Sequence, residues 1–134
     1  MQLHEQNIAT TQAIFGHFGA HDIPGILTHL TDDIVIEFYG PAVIPYAGTW
    51  RGLGEAERFF STVLGAVDIH QFDAEEFLAD GDKVIVTGHL HLTARATGRD
   101  IESDFVHVIT LCDGRWQRFR DFMNTAVAAA AFTP

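Results

Sequence analysis

The hydrophobic period of this chain changes once, and that change decides its class. Up to residue 66 apolar side chains recur at helical spacing or in short runs. From residue 69 onward they alternate, one in and one out, as strands do. The alternation is punctuated by the turns "DGD", "ATG" and "CDG", which predict four strands over 69–79, 83–95, 99–111 and 115–123. Helices first and a long meander last is an α+β order: a curved antiparallel sheet with the helices of the N-terminal half packed on one face.

The first half reads as helices with one strand pair between them. Ile8, Thr11, Ile14, Phe15 and Phe18 share a helical face, and Gly19 offers a stop. Asp22 is placed to cap a short helix, "IPGILTHL", whose Pro24 sits in the first turn, where a missing N–H costs little. "DDIVIEFYG" is β-rich and ends at the breaker Gly40-Pro41, and "YAGTWRG" reads as a short strand and turn. "LGEAERFFSTVLGAV" then forms an amphipathic helix burying Leu53, Ala56, Phe60, Val63 and Leu64.

With 134 residues and no linker or repeat, the expectation is one domain over 1–134. Eleven phenylalanines exceed what a minimal core of this size needs, which suits an apolar cavity or a subunit interface. Eight basic against eighteen acidic residues give a charge of −10, which repels nucleic acid and anionic membranes, so neither is expected as a partner. The single cysteine, Cys112, fits a reducing cytoplasm and lies in a turn with no constellation that would make it a nucleophile. "MQLHEQNIATTQ" lacks a secretory pattern, and "TAVAAAAF" is too short to span a bilayer. The expected setting is cytoplasmic.

The histidines of "GHLHLTARATGRDIESDFVHV" raise the question of chemistry. Three-residue hairpin loops at Ala96-Thr97-Gly98 and Cys112-Asp113-Gly114 pair Arg95 with Arg99 and Leu111 with Arg115. That register gathers Thr87, His89, His91, Ser103, Phe105, His107, Phe119, Asp121 and Met123 on one face, with Asp121 diagonal to His107. The other face holds Leu90, Leu92, Val106, Val108, Arg118, Arg120 and Phe122, suited to a dimer contact. A one-residue change of loop length would flip the histidine strand. In "VIEFYG", either Glu37 and Tyr39 or Ile36 and Phe38 face the cavity.

The segments "GAHDIPGILTHLTDDIVIEF", "IPYAGTWRGLGEAERFF", "ADGDKVIVTGHLHLTARATGR" and "HVITLCDGRWQRFRDF" resemble the SnoaL-like proteins, relatives of nuclear transport factor 2, the ketosteroid isomerases and the limonene epoxide hydrolases. The resemblance runs from about residue 8 to 124. It implies a strongly curved sheet wrapped by three helices into a cone, with a deep apolar pocket and a homodimeric assembly. Asp121 in "FRDF" resembles the last-strand carboxylate that polyketide cyclases and epoxide hydrolases use for acid–base work. The Arg-x-Asp of the epoxide hydrolases falls on His89-x-His91, so their water-activating carboxylate is missing here. The aspartate base of the steroid isomerases falls nearest Phe38.

These readings converge on a small-molecule enzyme working by acid–base chemistry on a hydrophobic, oxygenated substrate, with no cofactor. Cyclisation, isomerisation and hydrolysis stay open. Asp121 is the expected acid or base and His107 its partner. Tyr39, Glu37, His89, His91, Ser103, Phe105, Phe119 and Met123 are the expected substrate-contacting groups, with Tyr39 or a pocket histidine polarising a carbonyl. A binding module in the same cone is the second hypothesis, and a metal held by His89, His91, His107 and Asp121 the third. His4, His17, His21, His29 and His70 are read as ordinary helix or helix-edge residues, and Trp50 and Trp116 as packing at sheet edges.

Overall fold

The computed structural model describes residues 2–134. Its elements in chain order are α1 (Gln2–Gly19), α2 (Ile23–Leu27), β1 (Leu30–Phe38), β2 (Gly48–Arg51), α3 (Gly52–Ala66), β3 (Val67–Asp80), β4 (Lys83–Ala94), β5 (Asp100–Cys112), β6 (Arg115–Met123) and α4 (Thr125–Phe132). One six-stranded sheet runs β2-β1-β6-β5-β4-β3. All neighbours are antiparallel except β1 and β6, which pair in parallel, so the expected purely antiparallel sheet is a mixed one. The long excursion through β2 to β5 brings the chain back to β1 from the same end, which a parallel pair requires.

Local chemistry sets most boundaries. Asp22 accepts a hydrogen bond from Gly25 N and caps α2, as its position in the sequence predicts. Helix α1 turns Asn7, Thr11 and Ile14 into the core, and α3 buries Ala56, Phe59 and Phe60. Strand β4 alternates strictly between half-buried and buried residues along its length. The fourth helix, α4, was not among the expected elements. Asn124 caps it by accepting from Val127 N, and its alanines supply high helix propensity.

Two hairpins depart from the expected register, with opposite consequences. The β4–β5 connection is a four-residue loop: Ala94 N donates to Arg99 O, and Arg95 N donates instead to Ala66 O. The Arg95 side chain is held as well, with its Nε donating to Asp68 at 2.8 Å. Arg95 is thus recruited by the start of β3 and leaves the ladder, which shifts β4 by one residue and turns it over. His89 pairs with Asp104 and His91 with Glu102, so both histidines lie on the outer face of the sheet, and Leu90 and Leu92 point inward. Expected positions for all four are reversed.

The β5–β6 connection differs twice and recovers. Asp113 and Gly114 both have positive φ, the signature of a two-residue type I′ turn. A bulge between Thr110 and Leu111 then adds a second one-residue shift. Two slips restore parity, and His107 stands directly opposite Asp121 instead of diagonal to it.

Gly88 shows how tightly the inner face is packed. A Cβ there would lie 2.1 Å from the Asp73 carbonyl oxygen and 2.4 Å from the Phe105 ring. Only a residue without a side chain lets β3 and Phe105 close over this point.

Candidate active site

The concave inner face encloses a cavity of about 60 Å³ between the sheet and helices α1 and α3. Its wall is mostly aromatic, with Phe15, Phe18, Phe38, Phe59, Phe72 and Phe119 among the lining residues. Three lining side chains can exchange or donate protons into it: Tyr46, His107 and Asp121. The indole N–H of Trp116, also at the wall, is already engaged by Thr11 Oγ1 at 3.1 Å.

His107 is carried by β5 and buried, with its side chain 4% exposed. Phe15 stacks parallel to its ring at 5.6 Å, Phe105 lies at 4.5 Å, and Phe119 meets it edge-on at 4.8 Å. Asp121, carried by β6, is 16% exposed and brings Oδ1 to 3.2 Å from His107 Nε2. That is ion-pair distance, but the ring N–H is not directed along it, and neither imidazole nitrogen makes a hydrogen bond among the described residues. Buried ring nitrogens of this kind are costly to leave unbonded, and His107 carries that cost in the cavity wall.

Tyr46 is the third polar group. It lies in the loop between β1 and β2, is 3% exposed, and is wedged edge-on between Phe38 at 4.9 Å and Phe132 at 5.9 Å. Burial pushes its phenol well above the usual tyrosine range, and the charge of Asp121 adds to that push. Both effects keep the hydroxyl protonated and able to donate.

Among the expected site residues, His107, Asp121, Phe119 and Met123 do line the cavity. Phe105 lies behind them, stacked on Phe72 at 4.8 Å, and supports the His107 ring. Ser103 serves the backbone, its Oγ accepting from Asn124 N at the start of α4. Glu37 and Tyr39 are on the outer face: Glu37 pairs with Arg118 at 2.6 Å, and Tyr39 donates to Glu37 and stacks on Phe122. The inward pair on β1 is Ile36 and Phe38, both buried. Tyr39 therefore does not polarise a bound carbonyl from this face.

His89 contacts Asp104 at 2.8 Å and Glu102 at 3.0 Å, while His91 approaches Asp100 at 3.5 Å. With the sheet between them and His107, the expected gathering of three histidines and Asp121 on one face does not occur, which removes the geometry of the third hypothesis, and among the described residues no cluster of three or more ligands is placed to hold a metal. His70, expected at a helix edge, is on β3 beside His91. Trp116, expected at a sheet edge, is in the cavity wall and 2% exposed. Sequence reasoning missed Tyr46 and Phe59 altogether. The local signal for Phe59 was its helical spacing to Ala56 and Val63; Tyr46, in a Pro-flanked loop, offered none.

Comparison with known proteins agrees with this geometry. A family model, the SnoaL-like domain, matches residues 11–119. An NTF2-like protein from Burkholderia xenovorans LB400 is 27% identical over 96% of this chain and 97% of its own, with a TM-score of 0.89. TerC, whose crystals were grown with polyporic acid, is 26% identical over 95% and 98% of the two chains, with a TM-score of 0.82. A protein from Jannaschia sp. CCS1, named as a candidate SnoaL-like polyketide cyclase, shares the fold at 20% identity over 100% and 96% of the two chains, with a TM-score of 0.82. No curated protein matches the chain. Among the described residues no helix is long and apolar enough to cross a membrane.

Proposed function

The chain belongs to the SnoaL-like domain family, and on that premise we propose that it is an enzyme moving protons on a hydrophobic, oxygenated small molecule with its own side chains. One observation carries the reading. A buried imidazole with no hydrogen bond on either nitrogen faces a carboxylate at 3.2 Å across an aromatic cavity. A pure binding module would be expected to satisfy such groups internally, and this one does not.

In this reading Asp121 is the general acid or base. His107 tunes and orients it, and the phenylalanine box excludes water so that the pair acts in a low-dielectric site. Proton shuttling of this kind contributes about 10²–10⁴-fold to a rate. The cavity has room for about two water molecules, against the roughly 300–1,000 Å³ usual for ligand pockets. A ring-sized substrate is therefore admitted by movement of the partly exposed wall residues Phe15, Phe18 and Met123. TerC, crystallised with polyporic acid, makes an oxygenated aromatic compound a reasonable first ligand class for this relative. Cyclisation and isomerisation share the step assigned to Asp121, and the cytoplasm is the setting that the single free cysteine suits.

The test is a thermal-shift screen of aromatic ketones, terpenoid epoxides and steroids, followed by turnover assays on the hits. Asp121→Asn keeps shape and loses proton chemistry, so turnover should fall about 10²–10⁴-fold with ligand affinity and melting temperature nearly unchanged. Activity surviving within a few-fold would overturn the mechanism.

The same proposal includes a homodimer through the outer sheet face. Val106, Phe122 and Tyr39 are exposed there at 38%, 37% and 41%. Arg120 Nε is buried beside them without an acceptor, and Asp100, Glu102 and Asp104 lie at one end of the face. A face carrying apolar groups, an unpartnered guanidinium N–H and a carboxylate cluster is complementary to a second copy of itself. Light scattering should give twice the chain mass, falling to one chain for Phe122→Asp; a wild-type monomer at micromolar concentration would remove the dimer.

A further inference from the structure

Charge on the outer sheet face is arranged about a single row of residues. Val106 pairs with Phe122 on β6 and with Thr87 on β4, and Tyr39 stacks on Phe122 at 5.0 Å. To one side of this row β6 presents Arg120 and then Arg118, level with Val108 and Thr110. To the other side β5 presents Asp104 and then Glu102, at the same two steps from Val106. A two-fold axis along the row, between two copies packed face to face, therefore sets Arg120 over the second copy's Asp104 and Arg118 over its Glu102. The sideways offset is one strand, about 4.8 Å, which an arginine side chain spans. The same operation lays Val106 and Phe122 against their own copies and keeps the strands of the two sheets aligned.

Within one chain those two carboxylates already have a partner. His89 meets Asp104 through Nδ1 at 2.8 Å and Glu102 through Nε2 at 3.0 Å. Both contacts have a donor only when the ring is an imidazolium. The other titratable neighbours on this face are differently engaged. Asp73, across from His89 on β3, accepts from Gln71 at 2.7 Å, and Glu76 accepts from Thr87. His91 approaches Asp100 at 3.5 Å and the His70 ring at 5.0 Å, while His70 meets Thr93 at 2.7 Å. Only His89 bridges Asp104 and Glu102.

Resting on the proposed homodimer, we propose that His89 is a proton-operated competitor for the carboxylates that join the two copies. Protonated, it keeps Asp104 and Glu102 within the chain and turns a positive charge toward the arginines of the second copy, which loosens the dimer. Neutral, it releases both carboxylates to Arg120 and Arg118. Asp104, then Glu102, hold the proton on His89 of the separate chain above the usual histidine range, with burial opposing weakly. Assembly diverts those carboxylates and weakens that hold, so by linkage the dimer strengthens as pH rises.

Sedimentation equilibrium of the full chain reads the dimer constant directly. From pH 5.5 to 8.5 the wild-type dissociation constant should fall about 10-fold, because each dimer contains two such sites. His89→Gln should stay within about twofold over that range, and His91→Gln should keep the wild-type trend. Charge exchange tests the pairing separately. At pH 8.5 Arg120→Glu and Asp104→Arg should each be monomeric, and an equimolar mixture should dimerise, because mixing restores opposite charges at both contacts. If either variant fails to fold in thermal melts, Arg118→Glu with Glu102→Arg makes the same test one step further from the row. A wild-type constant indifferent to pH, a trend that survives in His89→Gln, or a mixture that stays monomeric would each overturn the inference and leave the dimer standing. A wild-type monomer at every pH would remove both.

Discussion

The two faces of one sheet carry the same residue types and do different things with them. On the outer face His89 sits between Asp104 and Glu102 at 2.8 and 3.0 Å, closer than His107 is to Asp121 at 3.2 Å. The outer carboxylates are 89% and 62% exposed, however, whereas Asp121 is 16% exposed and His107 4%. Water screens the outer cluster, so its short contacts contribute little to stability. The inner pair is longer and poorly aligned, but it lies among phenylalanine rings where each polar interaction is stronger. Distance alone favours the outer face; burial is what sets the inner pair apart.

The largest expected effect breaks or keeps that contrast directly. Asp121→Asn should lower the turnover rate about 10²–10⁴-fold, while Asp104→Asn, the equivalent change outside, should leave it within about twofold. Equal losses from both variants would mean that the two faces are not chemically distinct.

Packing gives the next effect. Gly88→Ala drives a methyl group into the Asp73 carbonyl and the Phe105 ring, and the backbone oxygen cannot swing aside. A loss of about 3 kcal/mol in urea unfolding is expected, the upper range for an overpacked core. Thr87→Ala, one residue along and facing out, should change stability by less than about 0.5 kcal/mol. A Gly88→Ala protein as stable as wild type would show that the inner face is loosely packed.

Third, the inner pair should cost stability. Replacing His107 and Asp121 together with leucine removes an imidazole without hydrogen bonds and the carboxylate beside it, and should stabilise the fold by about 1–2 kcal/mol while ending activity. A destabilised double variant would mean that the pair is structural.

The smallest effect is the pH dependence of the outer cluster. Hydrogen bonding to Asp104, then to Glu102, holds His89 above the usual histidine range, with burial opposing weakly. A raised value means that the contribution is complete below the unfolded histidine value of about 6.5 and disappears as pH rises through the folded one. Urea midpoints of wild type and His89→Gln should therefore draw together between pH 5.5 and 8.5. A gap that widened with pH would reverse the assignment. Glu37 follows the opposite sign: Arg118 holds its carboxyl below the usual range, so its contribution is present above the ordinary glutamate value and fades as pH falls.

Much of this molecule was legible because local rules agree with it. The helical period of residues 8–18, the Asp22 cap and the alternation from residue 69 each depend on neighbours a few positions away, and each element formed where it was expected. The facing of His107 and Asp121 was also legible, although the loop behind the argument was misjudged. A two-residue turn and a bulge made two slips, and strand parity survives an even number.

What the sequence by itself determined, then, was the class of fold, the order of its elements up to β6 and the shared face of His107 and Asp121. Only the tertiary structure decided which way β4 faces, because Arg95 leaves its hairpin to bond Ala66 and Asp68, partners about thirty residues earlier in the chain. Tertiary packing likewise sent Glu37 and Tyr39 outward to Arg118 and Phe122, and brought the loop residue Tyr46 in against Phe38 and Phe132. The physical reason is the same in all three cases. A side chain's face is fixed by local periodicity only while the register holds, and register is set by hydrogen bonds and ring contacts to residues far along the chain.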